Sequence, residues 1–366
     1  MAAEQLAVDL DHIDYSALTA PVTRQEIRAF RAQTRAAQRS DPSIRTGLTT
    51  VTSVITIIAL GVFGLVFLTT IGSAIGSANS GGSDGGSGIG VAIALMLVFG
   101  IVIAVVLRST FGSGGRWAEW MRLTRFATAN GFSFQSSTPA PNFPGCVFQH
   151  GDSRTAEDTF ATPAGRFLDF GNYRYSTGSG KNRTTHHWGY LALKLDRRLP
   201  NMVLDSKANN GLFGSTNLPQ VFSRDQVLSL EGDFDKYFTL YCPRQYEADA
   251  LYVFTPDLMA LLIDDAAPFD VEIVDDWMFV YSAHIFEPLD AATYARLFRI
   301  VQTVGAKALS QTENYRDERV ASTPGANIVA PQGQRLRHGT SIGAIVFFGA
   351  IAVFWAWSTF GSFFDR

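Results

Sequence analysis

The sequence predicts an α+β domain, an antiparallel sheet with flanking helices, carried by a chain that also has three transmembrane helices. Three observations point there. First, residues 48–71, 88–107 and 341–360 hold no charged side chain, and each run reaches the ~20 residues a helix needs to cross ~30 Å of hydrocarbon. Second, the stretch between them has ordinary globular composition and is long enough to bury a sizeable core. Third, strand patterns in that stretch come before and between helical ones, with hairpin signals and no regular βαβ alternation.

Arginines orient the runs. Arg24, Arg28, Arg31, Arg35, Arg39 and Arg45 precede the first, whereas the Gly/Ser-rich loop 72–87 carries Asp84 and no Lys or Arg. The positive-inside rule puts the N-terminus in the cytosol and that loop outside. Arg108, Arg116, Arg122 and Arg125 follow the second run, and Arg335, Arg337 and His338 precede the third, so the long middle segment is expected in the cytosol and residues 361–366 outside. The first run lies behind a basic segment and is expected to be a retained anchor. The layout is therefore a tail and basic helix over 1–47, a helical hairpin over 48–107, a cytosolic domain over 108–320, a tether over 321–340 and a last span over 341–360.

Along the chain, residues 1–20 are acidic and read as a mobile tail. A helix starts at Thr23, where Thr23 and Glu26 form a capping box and Val22 and Ile27 a hydrophobic staple. Its arginines fall on one side, so Arg24, Arg28, Arg31, Arg35 and Arg39 are candidates to clamp anionic lipid headgroups, at ~1 kcal/mol for each basic residue near the surface; a merely solvated face is the alternative. Residues 117–130 read as a helix stopped by Asn130-Gly131. Residues 166–176 and 184–196 read as a hairpin closed by the polar loop 177–183, with Leu191, Leu193 and Leu195 forming the single core face of the second arm.

Residues 208–223 read as a loop, and Phe238, Leu240 and Cys242 as a strand. Thr255-Pro256-Asp257 is a helix start, with Leu258, Leu261 and Leu262 as its buried stripe. Val271 and Ile273, a turn at Asp275-Asp276 and residues 277–280 predict a second hairpin. From Asp290, the spacing of Tyr294, Leu297, Phe298, Val301 and Val304 predicts a long helix. Residues 321–335 read as a flexible tether.

Candidate chemistry is sparse. Gly178-Ser179-Gly180-Lys181 lacks the other positions of a phosphate loop, which Tyr175 and Asn182 occupy. His186 and His187 are adjacent on a strand and point to opposite faces, so they do not share a metal ion. Asp264, Asp265, Asp270, Glu272, Asp275 and Asp276 lack calcium-loop spacing and read as a solvated edge. Cys242 alternates with core residues, where a thiol is inert, and two cysteines are too few for a disulfide framework. A net charge of −3, with no basic stripe interleaved with aromatics, gives no reason to expect nucleic acid. No catalytic residue, metal site or cofactor is predicted, and the chain is expected not to be an enzyme.

The run Leu228-Ser229-Leu230-Glu231, Phe234, Phe238 and Tyr241, then Glu247, Val253-Phe254-Thr255-Pro256-Asp257-Leu258-Met259, Val271-Glu272-Ile273 and Trp277-Met278-Phe279-Val280 resembles a bacterial family of membrane-tethered proteins, classed as domain of unknown function 3137. The resemblance is best over residues 228–282. It implies a multi-pass protein of a bacterial cell membrane and transfers no site residues. The third span departs from the family's arrangement.

The function expected is a cytosolic interaction or sensing module with an unidentified protein partner. Its surface candidates are the hairpin tip, Lys181, Asn182 and Arg183, with nearby Trp188 and Tyr190. An enzyme using His186 or His187 with a carboxylate on a membrane-borne substrate, and a transporter or channel accessory subunit, are the alternatives. The predicted topology has a direct consequence. A cysteine placed at Ser80 reacts with an impermeant thiol reagent on intact cells and one at Ser310 only after lysis; the reverse pattern overturns the layout.

Overall fold

Strand β4, Thr184–Ser206, organises the sheet, because its side chains are buried on both faces over residues 188–193 and 199–206. In this computed structural model residues 6, 8–40, 115–211, 215–320 and 327–339 are described, with Gly349, Ile351, Ala352, Trp355 and Trp357. The first two apolar runs and most of the third lie outside the described residues. Among the described residues no helix is long and apolar enough to cross a membrane. The chain divides into two units, residues 20–122 and residues 1–19 with 123–366.

In the larger unit β1 (Ser133–Pro139), β2 (Asp152–Ala161), β3 (Leu168–Thr177), β4, β5 (Val227–Leu228), β6 (Phe238–Tyr241) and β7 (Asp270–Ser282) form one antiparallel sheet. Its order is β1-β2-β3-β4-β6-β5, with β7 also paired to β4. Because side chains alternate along a strand, Leu191, Leu193 and Leu195 face one layer while Trp188, Tyr190 and Ala192 face another, and all six are buried. On the first face helices cover the sheet. Phe160 and Phe170 stack at 5.2 Å, Phe170 meets Phe298 at 5.3 Å and Tyr294 meets Phe126 at 5.2 Å. The second face is covered by residues 140–150, whose Phe148 packs on Tyr173 at 4.7 Å and Tyr190 at 5.1 Å.

The helices include α1 (Ser16–Thr19), α2 (Arg24–Ser40), α3 (residues 115–129), α4 (Glu247–Val253), α5 (Pro256–Leu261), α6 (Ala291–Ile300), α7 (Ala306–Thr312) and α8 (Pro331–Gln334). A π-helical turn, Val301–Gly305, joins α6 to α7. Asp290 caps α6 through Ala292 and Thr293 amides, each at 3.1 Å.

In the smaller unit the predicted capping box forms, with the Thr23 amide donating to Glu26 at 2.7 Å and the Glu26 amide to Thr23 Oγ1 at 3.3 Å. Arg24, Arg28 and Arg35 are exposed, whereas Arg31 is half-buried with its guanidinium 5.6 Å from the Trp117 ring. Arg31 is thus better placed to pack than to reach a headgroup. The side chain of Arg39 lies outside the described residues.

Several expectations change. Residues 8–19 are not a loose tail, since Val8, Leu10 and Leu18 are buried and Asn130 exchanges hydrogen bonds with the Asp14 backbone at 2.7 and 2.9 Å. The second hairpin is one continuous strand, β7. Asp275, at φ +54°, sits at an irregularity in the β4 register instead of a turn. Thr255 makes no side-chain cap, and Leu261 is only half-buried. Residues 327–339 of the expected tether pack down, with Val329, Ala330 and Leu336 buried and Gly333 set so close to Tyr246 that a Cβ would meet its ring at 2.5 Å.

The revised stripe has a consequence for stability. Leu258 is 1% exposed, so Leu258→Asp, which buries a charge without a partner, is expected to abolish cooperative urea unfolding. Leu261→Asp should retain a cooperative transition with a smaller loss. Equal behaviour of the two variants refutes the packing of α5.

Candidate functional site

A cleft of about 690 Å³ opens in the larger unit between the N-terminal segment, β4 and the α6–α7 helix pair. Leu193, Val301 and Leu309 supply apolar surface, and Leu6, Val8 and Leu10 form the wall contributed by the N-terminal segment. Polar groups ring this surface. Arg166, 5% exposed, donates to the Lys194 carbonyl at 2.9 Å and to both Asp196 oxygens at 2.9 and 3.0 Å. Gln302 donates to Asp11 at 2.6 Å, tying the wall to the helices, and Leu6 makes one β-bridge with Gly165. Hydrogen bonds from His12 and the Asp11 amide hold Asp9 below the usual carboxylate range.

That volume falls among those of small-molecule sites, which pair mostly apolar linings with a few placed polar groups. The lining holds no Cys, His or Lys. The arrangement suits reversible capture of an amphiphilic ligand.

The residues singled out from the sequence separate into two groups. Lys181 and Asn182 lie in a short turn, Gly180–Asn182, at the tip of the β3–β4 hairpin. Both are exposed, as is Arg183, which donates to Ser153 at 2.7 Å. Trp188 and Tyr190 are not at this surface: they are 4% and 1% exposed, because residues 140–150 cover the face that the sequence leaves open. His186 pairs with Thr177 at 2.9 Å and stacks on Tyr175 at 4.9 Å, and His187 is exposed.

Cys146 and Cys242 are free and buried, and burial pushes the Cys242 thiol up to about 12. Among the described residues no group of three or more His, Cys, Asp or Glu could hold a metal ion.

The carboxylates expected at a solvated edge also divide. Asp270 and Glu272 are buried, at 0% and 3% exposure. Glu272 accepts from the Cys146 amide at 2.7 Å, the Tyr281 hydroxyl at 2.8 Å and Asn201 at 3.3 Å, while burial raises its pKa. Asp270 accepts from the Ser206 amide at 2.8 Å, yet burial lifts it to about 7; burial likewise lifts Asp205 to about 6.

Sequence reasoning missed the cleft. Its clearest signal was the alternation of Leu6, Val8 and Leu10 with Asp9 and Asp11, a strand-like pattern in which one side is apolar. Arg166 and Gln302 carry no signal of their own, since each acquires its role from residues distant in the chain.

No family model matches this chain, and no curated protein matches it. One solved structure similar to it is that of the mycobacterial trehalose monomycolate transport factor A, TtfA. The TM-score is 0.36 with 12% identity, covering 53% of this chain and 94% of that one. A likeness of that size carries no argument about fold or function.

The buried carboxyls give the domain a defined pH response. Asp205 and Asp270 have folded pKa values above the unfolded value of ~3.9, so the native state holds protons that the unfolded chain has lost. Stability contributed by these groups therefore falls as pH rises from about 4 to about 7. Thermal unfolding is expected at lower temperature at pH 8 than at pH 6, with a smaller difference in Asp270→Asn. A difference unchanged by Asp270→Asn shows that this carboxyl ionises normally.

Proposed function

We propose that this chain is a multi-pass membrane protein whose α+β domain lies on the cytosolic side and acts as a ligand-responsive interaction module, with the 690 Å³ cleft as its binding site. One observation carries the reading: a wall of the cleft is made by Leu6 and residues 8–11, and the chain beyond them runs through α1 to the basic helix α2 and then, in sequence, to the first apolar run. An occupant that holds or displaces this wall acts on the segment leading to the membrane.

Anchoring is supported by the three uncharged runs and their flanking arginines. In the third run, Ile351, Trp355 and Trp357 are helical and exposed, Trp357 at 78%, and exposed tryptophans near the end of an apolar run suit a bilayer interface. The exposed Arg24, Arg28 and Arg35 are available to anionic headgroups. Lys181, Asn182 and Arg183 are free of core packing and offer a contact for a protein partner.

The test is to fill the cleft. Ala306 is exposed on its lining, so Ala306→Trp should block it without disturbing the core. Native mass spectrometry of the full chain from mild detergent is expected to show a bound species on the wild type that is absent from the folded variant. A wild type that carries nothing, or the same species on both, overturns the assignment.

A further inference from the structure

A second, smaller hollow of about 190 Å³ lies on the opposite face of the sheet, where the cover formed by residues 140–150 ends. At its base is Asp169 of β3. Asp169 shares its face with Gly171, Tyr173 and Tyr175, and the neighbouring Leu168 and Phe170 point into the helix layer. Its hydrogen-bond donor is the hydroxyl of Tyr190, at 2.5 Å. A carboxylate has about four acceptor positions, so most of its capacity is turned toward the hollow.

The other polar groups around it are the hydroxyls of Ser133, Thr138 and Thr159 and the Gln135 amide, whose oxygen is engaged and whose nitrogen is a donor. Gln135 and Thr138 of β1 are linked, with the Thr138 hydroxyl donating to Gln135 Oε1 at 2.7 Å, and Thr159 projects from β2. No Lys, Arg or His lines the hollow, and Tyr190 is the one titratable group in the lining that faces Asp169. Aromatic faces complete it. Phe167, 37% exposed, stands at the rim, and Tyr190 forms part of the wall. Asp169 is half-buried, a carboxylate partly withdrawn from water without a cation is costly, and the threonine hydroxyls beside it have lone pairs to offer one.

We propose that this hollow binds a primary ammonium group on a short alkyl stem, with Asp169 as its counter-ion. Ammonium protons can be accepted by Asp169 and the threonine hydroxyls; the Phe167 ring at the rim offers an aromatic surface beside them; and a hollow of about 190 Å³ has room for a stem of a few carbons. An anion meets the like charge of Asp169, and a neutral alcohol leaves the carboxylate uncompensated.

Burial raises Asp169 to about 7, despite the Tyr190 hydrogen bond. Binding therefore releases a proton from the carboxyl, and affinity rises with pH. The ionised fraction is about one-tenth at pH 6 and nine-tenths at pH 8, which makes binding roughly tenfold tighter at the higher pH.

Isothermal titration of the full chain in zwitterionic nanodiscs tests this with butylammonium, butanol and butyrate as probes. Saturable 1:1 binding of butylammonium alone is expected, about tenfold tighter at pH 8 than at pH 6, with proton release visible as a dependence on buffer ionisation heat. Nα-acetyl-lysine methylamide distinguishes the source: equal affinity means that a peptide lysine is admitted, and loss of affinity means a free amine. Asp169→Asn should abolish binding in a protein with unchanged circular dichroism. Equal binding of butanol, affinity independent of pH, binding that survives Asp169→Asn, or no binding to folded wild type at millimolar probe overturns the proposal.

Discussion

Strand β4 has to be buried on both faces, and the rest of the larger unit follows from that requirement. It pairs with β3 near its start, β7 through its middle and β6 at its end, so its side chains have two layers to meet. Helices supply one. The other is an irregular segment, residues 140–150, which has unsatisfied backbone groups of its own to accommodate. Glu272 addresses this by accepting the Cys146 amide while Tyr281 and Asn201 fill its remaining positions, and Asn201 in turn accepts the Leu336 amide at 3.0 Å. One buried carboxyl group thus ties the cover, β4, β7 and the C-terminal segment together. Loss of any single partner would leave a buried polar group unmet.

The same arrangement decides where openings remain. An irregular cover does not reach as far as the strands it protects, and the hollow at Asp169 marks its edge. On the helix side, the π-helical turn between α6 and α7 and the N-terminal segment leave the larger cleft. Leu193 lines the cleft and Tyr190 the hollow. Three residues apart on one strand, they point to opposite faces. Both openings are therefore built on the most deeply buried part of the sheet, where the backbone has least freedom to move, and rigid support of this kind favours defined binding geometry.

Legibility followed the range of the interactions. The α2 capping box, the β3–β4 hairpin and the Asp290 helix start depend on residues close together in sequence, and each is present. Trp188 and Tyr190 are surface candidates in the sequence because its local alternation marks one core face on β4, whereas in the fold both are buried. Nothing local announces that residues 140–150 return to cover the second. Asp275-Asp276 carried a turn signal, but pairing with β4 kept the strand continuous and turned the signal into an irregularity. Asp270 and Glu272 looked solvated because their partners, Ser206, Cys146 and Tyr281, lie elsewhere in the chain. Asp169 was overlooked for the same reason: a lone acid in an aromatic strand normally faces water.

A responsive wall must be less firmly held than the structure it reports to. The cleft meets this condition. Its floor belongs to β4, paired on both sides, and to helices packed on the aromatic layer, whereas the wall of Leu6 and residues 8–11 is joined by the Leu6 bridge and the Gln302–Asp11 hydrogen bond. Val8 and Leu10 are buried, but each contributes only the ~1.5–3 kcal/mol of an ordinary apolar side chain. An occupant contacting both wall and floor can change the wall's population without disturbing the floor, since its differential contacts need supply only a few kcal/mol. On the proposed reading that change passes along the chain toward α2, whose exposed arginines set its affinity for an anionic surface. On that same reading, a weakly held wall on a firmly held floor is what would let a small binding energy reach the segment that follows the wall.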